Sequence, residues 1–214
     1  MWDEGWLAVM KGLEEGGCPG LQDLDMSECN VSVAVAVALT RALSSGHCHH
    51  LEELYFYDAC GDDESMEFVL RSIKNLHFPF MREFDLSDIG SYQVHSMLLG
   101  EALKAGAFPK LRAVRFCEQS IHHSLWEALE AGSCQEMREL ELKGVLLDSD
   151  SSLALASALA SGWLNKLQRF HFCGTIDDDD DDSSLEEVLV ALASSCPDLC
   201  HLNVSGGCRN PTTR

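Results

Sequence analysis

Apolar and polar positions alternate in short bursts along this chain, and the bursts recur. LQDLDM starts at Leu21, LEELYF at Leu51, MREFDL at Met81 and LRAVRF at Leu111. MRELEL follows at Met137, LQRFHF at Leu167 and LCHLNV at Leu199. All seven read apolar-x-x-apolar-x-apolar, and their starts lie 30, 30, 30, 26, 30 and 32 residues apart. Alternation at period two predicts a short half-buried strand. Its return at a near-constant period predicts stacked copies of one supersecondary unit.

The stretches between the strands carry a different period. VAVALTRALSSG, LLGEALKAGA, SLWEALEAG and LALASALASG have apolar residues three and four apart, the mark of an amphipathic helix. Gly16, Gly46, Gly106, Gly132 and Gly162 stand five residues before a strand motif; Leu76 and Ser194 are the exceptions. Each glycine reads as the residue just past a helix, where a left-handed conformation ends it. Every unit is therefore expected to run strand, loop, helix, glycine stop and turn.

This arrangement resembles the leucine-rich repeat proteins of the ribonuclease-inhibitor type, over almost the whole chain. The resemblance implies an α/β leucine-rich repeat solenoid, a horseshoe with parallel strands on its concave face and helices on its convex face. The chain reads as a single domain over residues 1–214. Strands start near 21, 51, 81, 111, 137, 167 and 199, and residues 1–20 form an N-terminal capping helix. Trp2, Trp6, Leu7, Met10 and Leu13 are available for its burial. At the other end the chain stops ten residues after Val204. The last strand is then exposed, or the chain is part of something longer, or it self-associates through that edge.

Ten cysteines raise the question of a disulfide scaffold. Three residues ahead of each strand motif stand Cys18, Cys48, Phe78, Phe108, Cys134, Leu164 and Cys196. A slot that accepts Cys, Phe and Leu is an apolar slot, where free Cys acts as a small hydrophobe. The thiols are expected to be reduced, with a local bridge among Cys196, Cys200 and Cys208 left open.

Alternation also assigns the open face. If Leu24 and Met26 point inward, Asp23, Asp25 and Ser27 point outward. The next sets are Glu53, Tyr55, Tyr57 and Glu83, Asp85, Ser87. These three repeats present five acids and no base. One residue further on, Glu28, Asp58, Asp88 and Glu118 form a stripe across adjacent strands about 4.8 Å apart. Like charges side by side cost energy, which a cationic partner relieves. Tyr55 and Tyr57 supply interface-type aromatic surface. From Arg115 onward the face turns mixed or basic, with Lys143, Arg169, His171 and His201. The competing reading is a surface kept soluble by its acids.

The net charge of −20 argues against a general nucleic-acid binder and against an anionic membrane. No apolar run approaches a membrane span. The start, MWDEGWLAVMKG, lacks a basic leader region, so cytoplasm or nucleus is expected. No phosphate loop, zinc-protease or nucleophile-elbow motif occurs. No enzyme, cofactor or metal is expected. His47, His49 and His50 read as turn residues, and His122 and His123 as a helix start. Asp177–Asp182 fall in the longest step, as an enlarged loop ahead of a helix.

The functional expectation is a non-catalytic protein–protein interaction module whose acidic concave face takes a basic partner. The alternative is a regulatory or adaptor subunit of an enzyme complex, since relatives by fold include ubiquitin-ligase substrate receptors and GTPase activators. A receptor would need an F-box-like segment ahead of Leu21, and an activator would need an acidic tail. A repeat fragment of a larger protein is the third reading.

Overall fold

The computed structural model describes residues 3–59, 63–89, 93–117, 120–176 and 183–206. Seven helices and seven strands alternate among them. They are α1 (Asp3–Glu14), β1 (Asp23–Asp25), α2 (Val33–Ser44), β2 (Glu53–Tyr55), α3 (Asp63–Ile73), β3 (Glu83–Leu86) and α4 (Gln93–Lys104). Next come β4 (Ala113–Cys117), α5 (His123–Glu130), β5 (Glu139–Leu147), α6 (Ser149–Ala160), β6 (Arg169–Ile176), α7 (Ser183–Ser195) and β7 (His201–Gly206). The strands form one sheet in chain order, every neighbouring pair parallel. Each helix packs on the next helix, as each strand pairs with the next strand. The chain is an open α/β solenoid.

The strands begin two residues later than the motif starts. The reason lies in the first apolar residue, whose N–H closes a turn instead of joining the ladder. Leu21 N donates to Cys18 O at 3.1 Å, Leu51 N to Cys48 O at 3.1 Å and Met81 N to Phe78 O at 3.2 Å. The apolar slot thus shapes each entry turn. Cys48, Phe78, Phe108, Cys134, Leu164 and Cys196 are all buried there. Cys18, in the outermost turn of the row, is exposed and departs from the expectation. The Cys196 and Cys200 thiols are both free; Cys208 lies outside the described residues.

The inward rows fill the core. Leu24, Leu54, Phe84, Val114, Leu140 and Phe170 stand in register and are buried. Met26, Phe56, Leu86, Phe116, Leu142 and Phe172 form a second buried row. Each such side chain contributes about 1.5–3 kcal/mol through burial. Phe84 links the rows, its ring 6.2 Å from Phe56 and 5.6 Å from Phe108. At α1 the core is met by Met10 and Leu13, with Trp6 and Leu7 packed against it.

The glycine stops have the expected geometry. Gly106 has φ 75°, its N–H bonds Leu103 O at 2.9 Å, and Ala107 N reaches back to Ala102 O at 3.0 Å. That is the paired closure of a left-handed helix end. Helix starts are capped by side chains: Asp148 Oδ1 accepts from Ser151 N at 2.8 Å, and His122 accepts from Ser124 N at 3.2 Å.

Candidate functional site

Two registers of outward side chains cross the strand face. One runs Asp23, Glu53, Glu83, Ala113, Glu139, Arg169, His201. The other runs Asp25, Tyr55, Asp85, Arg115, Glu141, His171, Asn203. Ser87, expected on this face, is buried; its N–H is taken by Asp85 Oδ1 at 2.8 Å. Tyr57 is exposed, as expected.

Arg115 organises the middle of the face. Its guanidinium lies 3.2 Å from Glu83 Oε2, 2.9 Å from Glu139 Oε1 and 3.6 Å from Glu141 Oε2. Burial works against its charge, but Glu139 and Glu83 outweigh that and hold it above its ordinary value. Tyr55 Oη sits 2.7 Å from Glu53 Oε2 and 3.1 Å from Glu83 Oε2. Burial, then the bond to Glu53, pushes this phenol far above its ordinary value, so it stays protonated as a donor. The chain of contacts continues through Arg169 to Glu139 at 3.3 Å, Lys143 to Glu141 at 2.6 Å and His171 to Glu141 at 3.5 Å.

This ladder changes the accounting of the acidic patch. Glu53 and Glu83 are structural members of it, and Tyr55 is a bridge with its hydroxyl already engaged. Glu52 is likewise paired, with Arg82 at 2.7 Å. Asp25 and Asp85 each accept the backbone N–H two residues ahead, at 2.9 and 2.8 Å. On this face of the first three repeats Asp23, Asp25, Glu53, Asp85 and the stripe Glu28, Asp58 and Asp88 have no ion pair among the described residues, and of these Glu53 is held by the Tyr55 hydroxyl. Asp23 is pushed above its ordinary value by burial, then by Glu53, Asp25 and Glu83. Cys117 beside Asp88 is pushed up to about 11, by burial first and then by its bond to that carboxylate. Glu118, the fourth stripe member expected, and Asp177–Asp182 lie outside the described residues.

The stripe has a feature that the spacing argument missed. Glu28, Asp58 and Asp88 have φ of 56°, 48° and 57°, the left-handed region that glycine favours. Each is the residue after a strand-exit kink. Cys29 N bonds Met26 O at 3.3 Å and Ala59 N bonds Phe56 O at 3.0 Å, which puts Glu28 and Asp58 third in a four-residue turn. A positive φ at that place is the type II requirement. The turns stack: Glu28 N donates to Tyr57 O at 2.8 Å and Asp58 N to Ser87 O at 3.1 Å.

The signal was present in the sequence. Seven residues past each motif start stand Glu28, Asp58, Asp88, Glu118, Gly144, Gly174 and Gly206. Gly144 has φ 64° and marks a register shift in the β5–β6 pairing. At Gly174 an added Cβ would lie 2.0 Å from Val145 O. Gly174 thus answers a close backbone approach, whereas Gly144 is the chain's own glycine in the left-handed conformation, and three earlier repeats hold an exposed acid in that conformation against the backbone preference. Such strain costs on the order of 1 kcal/mol per residue.

The histidines do turn work. His47 Nδ1 lies 3.0 Å from Glu14 O, His49 Nδ1 2.9 Å from Gly46 O and His77 Nδ1 3.1 Å from Gly106 O. Among the described residues no cluster of His, Cys, Asp or Glu is arranged to hold a metal ion, and no helix is long and apolar enough to cross a membrane. No protein-family model and no curated protein matches the chain.

Proposed function

We propose that this chain is a protein-binding module of the leucine-rich repeat class, ribonuclease-inhibitor type. It docks a basic segment of another protein along the strand-exit rim of its first three repeats. Glu28, Asp58 and Asp88 are the charged contacts, Asp23 and Asp25 extend the field, and exposed Tyr57 is the aromatic anchor. One observation carries the reading: a left-handed backbone position that β5 fills with Gly144 is filled in the first three repeats by exposed acids without an ion pair, Glu28, Asp58 and Asp88. A residue kept at a conformational cost is a candidate for function, and adjacent like charges add a second cost. A cationic ligand offsets both. The strand-ladder charges further along are already satisfied by Arg115, Lys143 and Arg169, which leaves the first three repeats as the attractive half. Eight described cysteines are free thiols, which supports a reducing compartment, cytosol or nucleus.

The test compares three proteins in low-salt affinity capture from a native lysate. Wild type retains basic proteins that high salt releases. Glu28→Lys/Asp58→Lys/Asp88→Lys loses them while its circular dichroism is unchanged. Glu28→Gly/Asp58→Gly/Asp88→Gly, which removes the charge and relieves the backbone, also loses them. Capture by either variant at the wild-type level overturns the proposal.

A further inference from the structure

A second surface, on the helix side, breaks the rule its neighbours follow. Between successive helices from α3 to α6, a polar pair spans the groove. Lys74 reaches Glu101 at 2.9 Å, Lys104 reaches Glu127 at 2.5 Å, and Glu130 meets Ser157 at 2.8 Å. The positions correspond. Lys74, Lys104 and Glu130 each follow a buried residue: Ile73, Leu103 and Leu129. Glu101, Glu127 and Ser157 each precede a buried alanine: Ala102, Ala128 and Ala158. Applied to α6 and α7, the same rule selects Ala160, after Leu159, and Val190, before Ala191. Neither has a polar atom beyond its backbone, so this groove has no bridge.

The groove is open as a result. It encloses about 600 Å³ and is lined by Leu153, Ala156, Ala160, Val190 and Ala191, with Glu186 and Glu187 on its rim. Leu153 is 53% exposed and Val190 60%. No Lys or Arg occurs in α5, α6 or α7. The rim is thus acidic with no cation on these helices to answer it.

We propose that this groove docks an amphipathic helix of another protein, its apolar stripe on Leu153 and Val190 and its flanking Lys or Arg side chains on Glu186 and Glu187. The chemistry is a helix laid into a hydrophobic groove, read through residues three and four apart. Charge complementarity selects a basic helix over an acidic one, and the missing bridge distinguishes this groove from the three bridged ones between α3 and α6. The site is separate from the strand-exit rim and stands or falls independently of it.

The probe is a fluorescein-labelled amphipathic peptide of Leu and Lys, about 18 residues or five turns long, followed by fluorescence anisotropy at ~0.15 M and ~0.5 M salt. Leu153→Asp and Val190→Asp, both at exposed positions, each weaken binding at least about tenfold. Ala160→Lys, which fills the groove with a charged chain, removes it. All three keep the wild-type thermal midpoint. The Glu28→Lys/Asp58→Lys/Asp88→Lys protein still binds the peptide at the higher salt. Equal binding of a composition-matched peptide without the amphipathic pattern overturns the proposal. So does insensitivity to the three groove variants, or loss of binding only in the rim variant. A homodimer by sedimentation velocity that Ala160→Lys disperses also overturns it, because the occupant would then be a second copy.

Discussion

Arg115 is the residue on which most of the strand face depends. Its side chain is about four-fifths buried and touches three carboxylates from β3 and β5. Removing it leaves Glu83, Glu139 and Glu141 facing one another with less compensation. Hydrogen bonds to charged groups are worth about 1.5–3 kcal/mol, more than an exposed pair. Arg115→Ala should therefore lower stability in urea by about 1–3 kcal/mol, and Arg115→Lys should not restore it, since an ammonium cannot fork between two strands. The Arg82–Glu52 pair, in which the arginine is exposed and makes one ion pair, is the control, with a loss below about 1 kcal/mol on Arg82→Ala. Equal losses would remove Arg115 from this role. Asp23 tests the opposite situation, a charge with no partner. Its folded-state proton affinity is raised, by burial and then by Glu53, Asp25 and Glu83. Below the unfolded carboxylate range both states are protonated and nothing is lost. As pH rises through the folded value, the folded state acquires an unfavourable charge. Asp23→Asn should thus raise the thermal midpoint at pH 7 and leave it unchanged at pH 3. The reach of Arg115 was not legible in the sequence. The motif grid gives the strand and face of a residue, but a long side chain bonds to whichever neighbours its length allows, here one strand back and one forward.

At the scale of elements, the strands lengthen along the chain, from three residues in β1 to nine in β5. The exit turn accounts for the contrast. In the first two repeats the backbone turns at Glu28 and Asp58 and the strand is cut short. In β5 the same position is Gly144, and the extended chain passes through it as a bulge. An acid at this place carries left-handed strain of about 1–2 kcal/mol, and glycine there costs about 0.5–1 kcal/mol in unfolded-chain entropy. The balance favours glycine slightly. Each of Glu28→Gly, Asp58→Gly and Asp88→Gly should keep or raise stability by up to about 1 kcal/mol in chemical denaturation. Glu28→Gly should gain most, because aspartate tolerates the left-handed region better than glutamate. A loss above 1 kcal/mol at all three sites would show that the acids stabilise the fold itself. Much of this level was legible beforehand. Seven strand motifs, the helix stops at Gly106 and Gly132 and the buried slot at Cys134 all follow from spacing. The kinks at Glu28, Asp58 and Asp88 did not, because nothing in a glutamate or aspartate announces a positive φ. Only counting across repeats to Gly144 exposes it.

Across the whole molecule the net charge of −20 is distributed unevenly. The first three repeats hold the uncompensated stripe, and the middle repeats hold the ion-paired ladder around Arg115. A solenoid transmits this contrast poorly, because each unit touches its neighbours and its stability sums local and nearest-neighbour contributions. The two regions should then answer salt with opposite signs. Stripe members in adjacent repeats lie about 4.8 Å apart. The screening length falls from roughly 10 Å at 0.1 M salt to roughly 3 Å at 1 M. Raising salt over that range relieves repulsion along Glu28, Asp58 and Asp88 and weakens the partly exposed pairs of Arg169 and Lys143. Amide hydrogen exchange followed by mass spectrometry resolves the two regions in one experiment. Peptides covering β1 to β3 and their exit turns should exchange more slowly at high salt, and peptides covering β5 and β6 should exchange no more slowly or faster. A basic ligand on the rim should reproduce the first effect without the second, because it neutralises the stripe and leaves the ladder untouched. A uniform shift of all peptides would mean that general ionic effects outweigh the local charge pattern, and the stripe would then lose its claim to stored repulsion.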